Sequence, residues 1–339
     1  MKKGFFVGLA ALLCVNIFAQ EQQLLNLRLE ARGDYQREYV EGSTIDGNTG
    51  FKGKFLNLRV DGAINEEFSY SYRQRFNKAN DDSSFFDATD WLYLTYKKNN
   101  WELSAGKQVV AIGGYEYDLA PIDLFFCSEW WQNIPCYQWG GSVAYNFGGN
   151  DKMLLQLCES PFRDRRNQED MYAFNLMWMG SHGWFNTLYS VNMIEYLPGK
   201  YINYISLGNK FNFGDFSIEL DLMNRAASGQ AFIGKDYSVI GKFAWCASDK
   251  LNLFAKASHD VNECLSGKDF LVAGDTKITR VGAGVEFYPL KDGKNDIRIH
   301  AVGSYSFGDD ANASTVLLDN QTFVTVGVTW KMDLLSFKR

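Results

Sequence analysis

The chain has 339 residues, 46% hydrophobic, 16% aromatic and 22% charged, with a net charge of -6 and a mean hydropathy of -0.25. No internal stretch approaches the ~20 consecutive apolar residues of a membrane-crossing helix, so a helical membrane protein is excluded. The acidic balance argues against a nucleic-acid partner, and three histidines with six cysteines argue against a metal-rich or densely disulfide-bonded scaffold.

Residues 1–19 read as a secretory signal peptide: Lys2 and Lys3, an apolar run from Gly4 to Val15, then Ile17-Phe18-Ala19 with a small residue at the cleavage position. Cys14 follows Leu13, where a lipoprotein signal would carry a small residue, and is read as an apolar filler. The mature domain then spans residues 20–339. Losing two lysines takes its net charge from -6 to -8.

From Leu24 onward the chain alternates with period two. Leu25, Leu27, Leu29, Ala31 and Tyr35 point one way, and Arg28, Glu30, Arg32, Asp34 and Gln36 the other. Such a strand has one apolar and one charged face, and it is long for a globular protein. The pattern recurs at Leu56/Leu58/Val60 against Asn57/Arg59/Asp61, and at Phe68/Tyr70/Tyr72 against Ser71/Arg73/Arg75. Later it returns at Ile218/Leu220/Leu222, at Ile297/Ile299/Ala301, and in the last strand at Val324/Val326/Val328/Trp330.

The breaks alternate between short and long. Short ones fall at 65–67, 97–100, 148–151, 180–183, 212–215, 248–250 and 290–295. Mostly longer, polar ones fall at 40–50, 78–87, 111–136, 159–169, 197–200, 226–235, 262–277 and 308–320. Together they join about sixteen strands. Aromatics gather near strand ends: Tyr35, Tyr39, Tyr96, Trp101, Trp184, Tyr196, Trp245, Phe287, Tyr288 and Trp330. Even strand number, short turns on one side, long loops on the other and aromatic girdles point to an all-β, closed, antiparallel up-and-down transmembrane barrel. A soluble β-sandwich, the competing fold, would have shorter strands and an apolar interior.

The stretch Leu103-Ser-Ala-Gly-Lys107-Gln108 before a long loop resembles the glycine-basic segment that precedes the third loop of the phosphate-selective porin O/P family. The strand plan, the signal and the final strand VTVGVTWKMDLL are also similar to that family, in a divergent branch. The resemblance implies a Gram-negative outer-membrane porin, a homotrimer, whose third loop folds into the lumen. It does not establish phosphate selectivity, and the terminal Ser336-Phe337-Lys338-Arg339 departs from the terminal aromatic of many such barrels.

Assigning the polar parity to the lumen places Arg28, Arg32, Arg59, Arg73 and Arg75 on the first three strands, within a basic surplus along the wall. The third long connection carries Glu116, Asp118, Asp123 and Glu129 and no lysine or arginine. An acidic loop opposite an arginine-rich wall produces a transverse field, the arrangement of an eyelet for small hydrophilic solutes and ions. The competing reading is ordinary lumen charge, paired and selective for nothing. Lys107 falls on the lipid parity, which asks for a bulge or a position above the membrane belt. Tyr115, Tyr117, Phe125, Phe126, Trp130 and Trp131 in the same loop either anchor it to the wall or stack on sugar rings. Cys127 and Cys136 flank its last turn, and a disulfide between them is one possibility; Cys158, Cys246 and Cys264 show no metal-ligand spacing.

Neither His182, His259 nor His300 sits near a nucleophile elbow, and Gly282-Ala-Gly284 lacks the third glycine and helix of a nucleotide site. No enzyme and no cofactor is expected. The expected partners are membrane lipid and small solutes. The alternatives are a channel selective for phosphate, other anions or saccharides, and a non-conducting structural barrel.

Overall fold

The computed structural model describes residues 23–78, 85–132, 134, 136–163, 170–263, 276–309 and 317–338. The signal-peptide assignment, Cys14 and Cys264 lie outside them.

The long alternating segments form β1 (Gln23–Val40), the two-residue β2 (Ser43–Thr44), β3 (Gly50–Ala63), β4 (Phe68–Arg75), β5 (Thr89–Lys98) and β6 (Trp101–Val109). Then come β7 (Tyr137–Phe147), β8 (Asp151–Glu159), β9 (Tyr172–His182), β10 (Phe185–Leu197), β11 (Lys200–Phe213) and β12 (Phe216–Ala227). The wall finishes with β13 (Asp236–Ser248), β14 (Leu251–Asn262), β15 (Thr276–Lys291), β16 (Asn295–Asp309) and β17 (Gln321–Lys338). Each of these except β2 pairs antiparallel with its neighbours in chain order, and β1 pairs with both β3 and β17, which closes the ring. The barrel therefore has sixteen wall strands, with β2 an additional ribbon on the first long connection. Closure leaves no unpaired sheet edge along the wall, as a lipid environment requires.

Burial is inverted relative to a soluble domain. Leu92, Leu94, Leu155, Leu176, Val191, Ile218, Leu220 and Val326 are exposed on the outer face, while Glu30, Arg32, Asp34, Asn57, Arg73 and Asn175 are buried inside. Of the aromatics expected at the rims, Tyr35, Trp101, Trp184, Trp245 and Phe287 are exposed on the outside. Tyr196 is not a girdle residue: it is buried in an interior cluster with Val110, Ile112, Tyr117, Trp130, Ile194, Ile202, Tyr204 and Ile240. No helix is long and apolar enough to cross a membrane.

Three local devices tune this plan. Gly106 adopts φ 130°, and a Cβ there would run into the Leu92 carbonyl oxygen and the Tyr93 Cα, so only glycine lets β5 and β6 approach. Lys107 keeps its outward register opposite Leu92 and Trp139, yet it is only 4% exposed. The turn at Phe85–Asp87 folds over it, and its ammonium donates to the Phe86 and Thr89 carbonyls at 2.7 Å each. A bulge at Leu334 shifts the register between Asp333 and Leu335, so that Leu335 and Phe337 pair with Leu27 and Leu25. The apolar outer face thereby continues to Phe337.

Candidate functional site

Residues 110–136 leave β6 and return at β7, and their backbone is tied to inward-facing side chains of the wall. The segment holds α1 (Tyr115–Asp118), a 3-10 turn at Pro121–Asp123 and α2 (Glu129–Gln132). Its start is gripped by amides on successive strands. Ala111 N–H donates to Gln156 Oε1 at 2.8 Å, Asn192 Nδ2 donates to the Ala111 carbonyl at 2.8 Å, and Gly113 N–H donates to Ser190 Oγ at 2.8 Å. Asn175 links Gln156 to Asn192. These are polar-parity positions of β8, β9 and β10, so the same alternation that makes the wall also supplies the anchors.

Two wall aspartates then cap the short helices. Asp221 on β12 accepts the Tyr115 and Glu116 N–H groups, each at 2.8 Å. Asp260 on β14 accepts those of Glu129 and Trp130 at 3.1 and 3.3 Å. The first N–H groups of a helix have no partner within it, and here the barrel wall provides one.

At the far end of the segment, Arg32 donates to the Leu124 and Ile122 carbonyls at 2.7 and 3.2 Å. Arg298 and Lys331 donate to Asp123 at 3.0 and 2.7 Å. Burial alone would raise the Asp123 carboxyl, but the Lys331 and Arg298 cations outweigh it and hold the pKa down to about 2. Phe125 lies against Arg32 and Arg298, whose guanidinium carbons are 4.7 and 5.1 Å from its ring centre.

The four acidic residues of the segment thus have different surroundings. Glu116 meets Lys256 and accepts from Ser128; Asp123 meets Arg298 and Lys331; Glu129 accepts the Leu317 N–H at 3.0 Å; Asp118 is exposed. The first-strand arginines have carboxylates of their own. Arg28 pairs with Asp333 at 2.6 Å, Arg32 with Asp34 at 2.7 Å and Arg59 with Asp61 at 2.6 Å. Arg73 and Arg75 share Asp90, at 3.1 and 3.0 Å.

Asp90, Asp260 and Asp333 are not among the residues singled out from sequence. Regular alternation puts Asp90 outside with Leu92. A bulge, visible as Arg73 opposite Trp91 but Gln74 opposite Thr89, turns it inward. No signal in the sequence marks that shift, because an acidic residue at a strand start reads as a loop boundary.

The aromatic residues of the segment are mainly packing. Tyr117 and Trp130 are 4% and 1% exposed in the interior cluster, and Phe126 packs with Phe254 and Val302. Cys127 and Cys136 are unpaired, so the disulfide considered above does not form. Gln132 Nε2 donates to the Cys127 sulfur, and burial pushes the Cys127 and Cys136 thiols up to about 12 and about 11. Such thiols stay protonated and inert at neutral pH. Among the described residues, no group of His, Cys, Asp and Glu is placed to hold a metal ion.

No curated protein sequence matches this chain. Solved structures do, at low identity. The anion-selective porin from Comamonas acidovorans aligns with a TM-score of 0.63 at 11% identity, over 92% of this chain and 100% of that one. The outer-membrane channel DcaP of Acinetobacter baumannii gives 0.63 at 12%, over 93% and 100%. OmpT of Vibrio cholerae, in a trimer form, gives 0.60 at 13%, over 91% and 99%. These likenesses carry the fold. A family model described as phosphate-selective porin O and P matches residues 25–188. That stretch includes the glycine-basic segment, the whole of 110–136 and the anchors Gln156 and Asn175 on β8 and β9, and it points to a channel rather than an enzyme. With the match over residues 25–188 and the closed sixteen-strand wall, this chain is similar to the phosphate-selective porin O and P family.

Proposed function

We propose that the protein is a passive diffusion channel for small hydrophilic solutes and ions, with its constriction between residues 110–136 and the wall of β1, β3, β4 and β5. Residues 1–19 are the export signal, residues 20–339 the barrel, and three copies assemble in the outer membrane. The observation that carries this reading is the way the 110–136 segment is tied across the interior, from Gln156 through Asp221 to Arg32 and Lys331. An apolar cluster fills the side toward β8–β13, so the remaining passage runs along the arginine-bearing wall.

The eyelet residues are Arg28, Arg32, Arg59, Arg73 and Arg75 on the wall, and Glu116, Asp118, Asp123 and Glu129 on the segment. Their charges are matched locally, Arg59 by Asp61, Arg73 and Arg75 by Asp90, and Asp123 by Arg298 and Lys331. A wall so compensated gives a general channel of weak ion preference instead of an uncompensated basic ladder. Reversal potentials of the reconstituted protein across a KCl gradient test this: near-equal permeation is expected, and strong anion selectivity that vanishes in Arg73→Gln and Arg75→Gln refutes it. Liposome swelling separates the channel from a structural barrel, which would admit neither sugar nor salt.

A further inference from the structure

The wall facing the passage carries an arrangement that general permeation does not need. Arg59 and Arg73 sit directly opposite each other on β3 and β4, a like-charge cross-strand pair that is unfavourable by itself. Trp91 joins them: the guanidinium carbons of Arg73 and Arg59 lie 4.6 and 5.6 Å from its ring centre. Arg75, one step along, lies 5.4 Å from the ring centre of Phe55. Each cation is therefore backed by an aromatic face, which fixes the direction of its planar donors.

Those donors are not used up. Arg73 Nη2 and Arg75 Nε are buried with no hydrogen-bond partner, and Arg73 as a whole is 1% exposed. Buried donors of this kind are normally satisfied, and an orphan marks a place for an acceptor that comes and goes. Arg59, at 23% side-chain exposure, commits only Nε to Asp61 and keeps the rest of its fork toward the lumen.

The charge balance narrows what that acceptor is. Asp61, Asp90 and Glu30, the last 3.9 Å from Arg73, offset the three guanidiniums, so the wall is formally neutral. A divalent, strongly hydrated phosphate would face three carboxylates with no surplus positive charge to hold it. A monovalent carboxylate matches the planar guanidinium fork, and an apolar body beside it finds Trp91 and Phe55. Resting on the channel reading above, we propose that this wall is a subsite for small carboxylates bearing a ring or other apolar body, passed in preference to inorganic phosphate.

The test is bi-ionic reversal potentials of the full-length mature protein in planar bilayers, with sodium benzoate against sodium phosphate. The wild type should favour benzoate by roughly threefold or more, the scale of one exposed cation–π contact. Arg59→Lys keeps the charge but loses the planar fork, and Trp91→Leu removes the aromatic backing; each should cut that preference roughly threefold. Equal or greater permeation of phosphate overturns the proposal, as does a preference that survives both substitutions. Current without benzoate preference defeats the subsite alone, whereas no current in any salt defeats the channel reading with it.

Discussion

Replacing Asp221 by alanine should loosen the interior segment without dismantling the barrel. Its carboxylate accepts two backbone N–H groups at 2.8 Å, from Tyr115 and Glu116, and it is 2% exposed. Losing a helix cap costs about 0.5–2 kcal/mol, and a buried donor left without a partner about 1–3 kcal/mol. Because the two donors share one acceptor and water can reach a vacated site, a net local loss of about 2 kcal/mol is expected. That corresponds to a roughly 30-fold fall in protection against hydrogen exchange, since 1.4 kcal/mol is tenfold. Exchange mass spectrometry on the peptide containing Tyr115 and Glu116 reads it directly. Peptides from β12 itself should change little, because its ladder bonds to β11 and β13 are untouched. Asp221→Asn, which keeps one acceptor oxygen, should show a smaller fall. Unchanged exchange at Tyr115 and Glu116 in the alanine variant would refute the capping argument. Equal loosening of the whole barrel would show instead that Asp221 supports the wall and not the segment.

Asp260→Ala, whose bonds to Glu129 and Trp130 are longer at 3.1 and 3.3 Å, should loosen α2 by less than Asp221→Ala loosens α1, on the same exchange readout. Asp90→Asn removes the carboxylate shared by Arg73 and Arg75, so the reversal potential in a KCl gradient should move toward anion selectivity; no movement would mean these arginines do not face the passage. The latch of Asp123 to Arg298 and Lys331 should be acid-resistant. Its pKa is held below the ordinary value of ~3.9, so the stabilisation is complete above that value and is lost as pH falls toward about 2. Thermal unfolding followed over that range should show an acid limb that Asp123→Asn lacks. Gly106→Ala forces a side chain into φ 130° and against the Leu92 carbonyl, costing at least about 1–3 kcal/mol, measurable as a lower temperature for loss of the folded band on gels.

The barrel, its sixteen wall strands, the side carrying the long connections and the inward parity of Arg32, Asp34, Arg59 and Arg73 were all legible in the sequence. Strand parity is a local property: successive residues face opposite sides whatever the rest of the chain does, so alternation from Leu25 to Gln36 already assigns both faces. The acidic character of 110–136 was legible for the same reason, as composition.

What only the tertiary structure decided is who meets whom. Asp90 reaches Arg73 and Arg75 through a one-residue bulge, Leu334 flips the parity of the chain end through another, and Lys107 stays on the outer face because the Phe85–Asp87 turn and the start of β5 each supply a carbonyl. Asp221, on the polar face of β12, is a helix cap, while Glu116 and Asp123 are matched by lysines and an arginine of β14, β16 and β17 rather than by the first strands. Periodicity depends on neighbours two residues away and survives in any window of sequence. Ion pairing depends on register and closure, where one inserted residue moves a carboxylate from lipid to lumen, and that is settled only when the whole wall is joined.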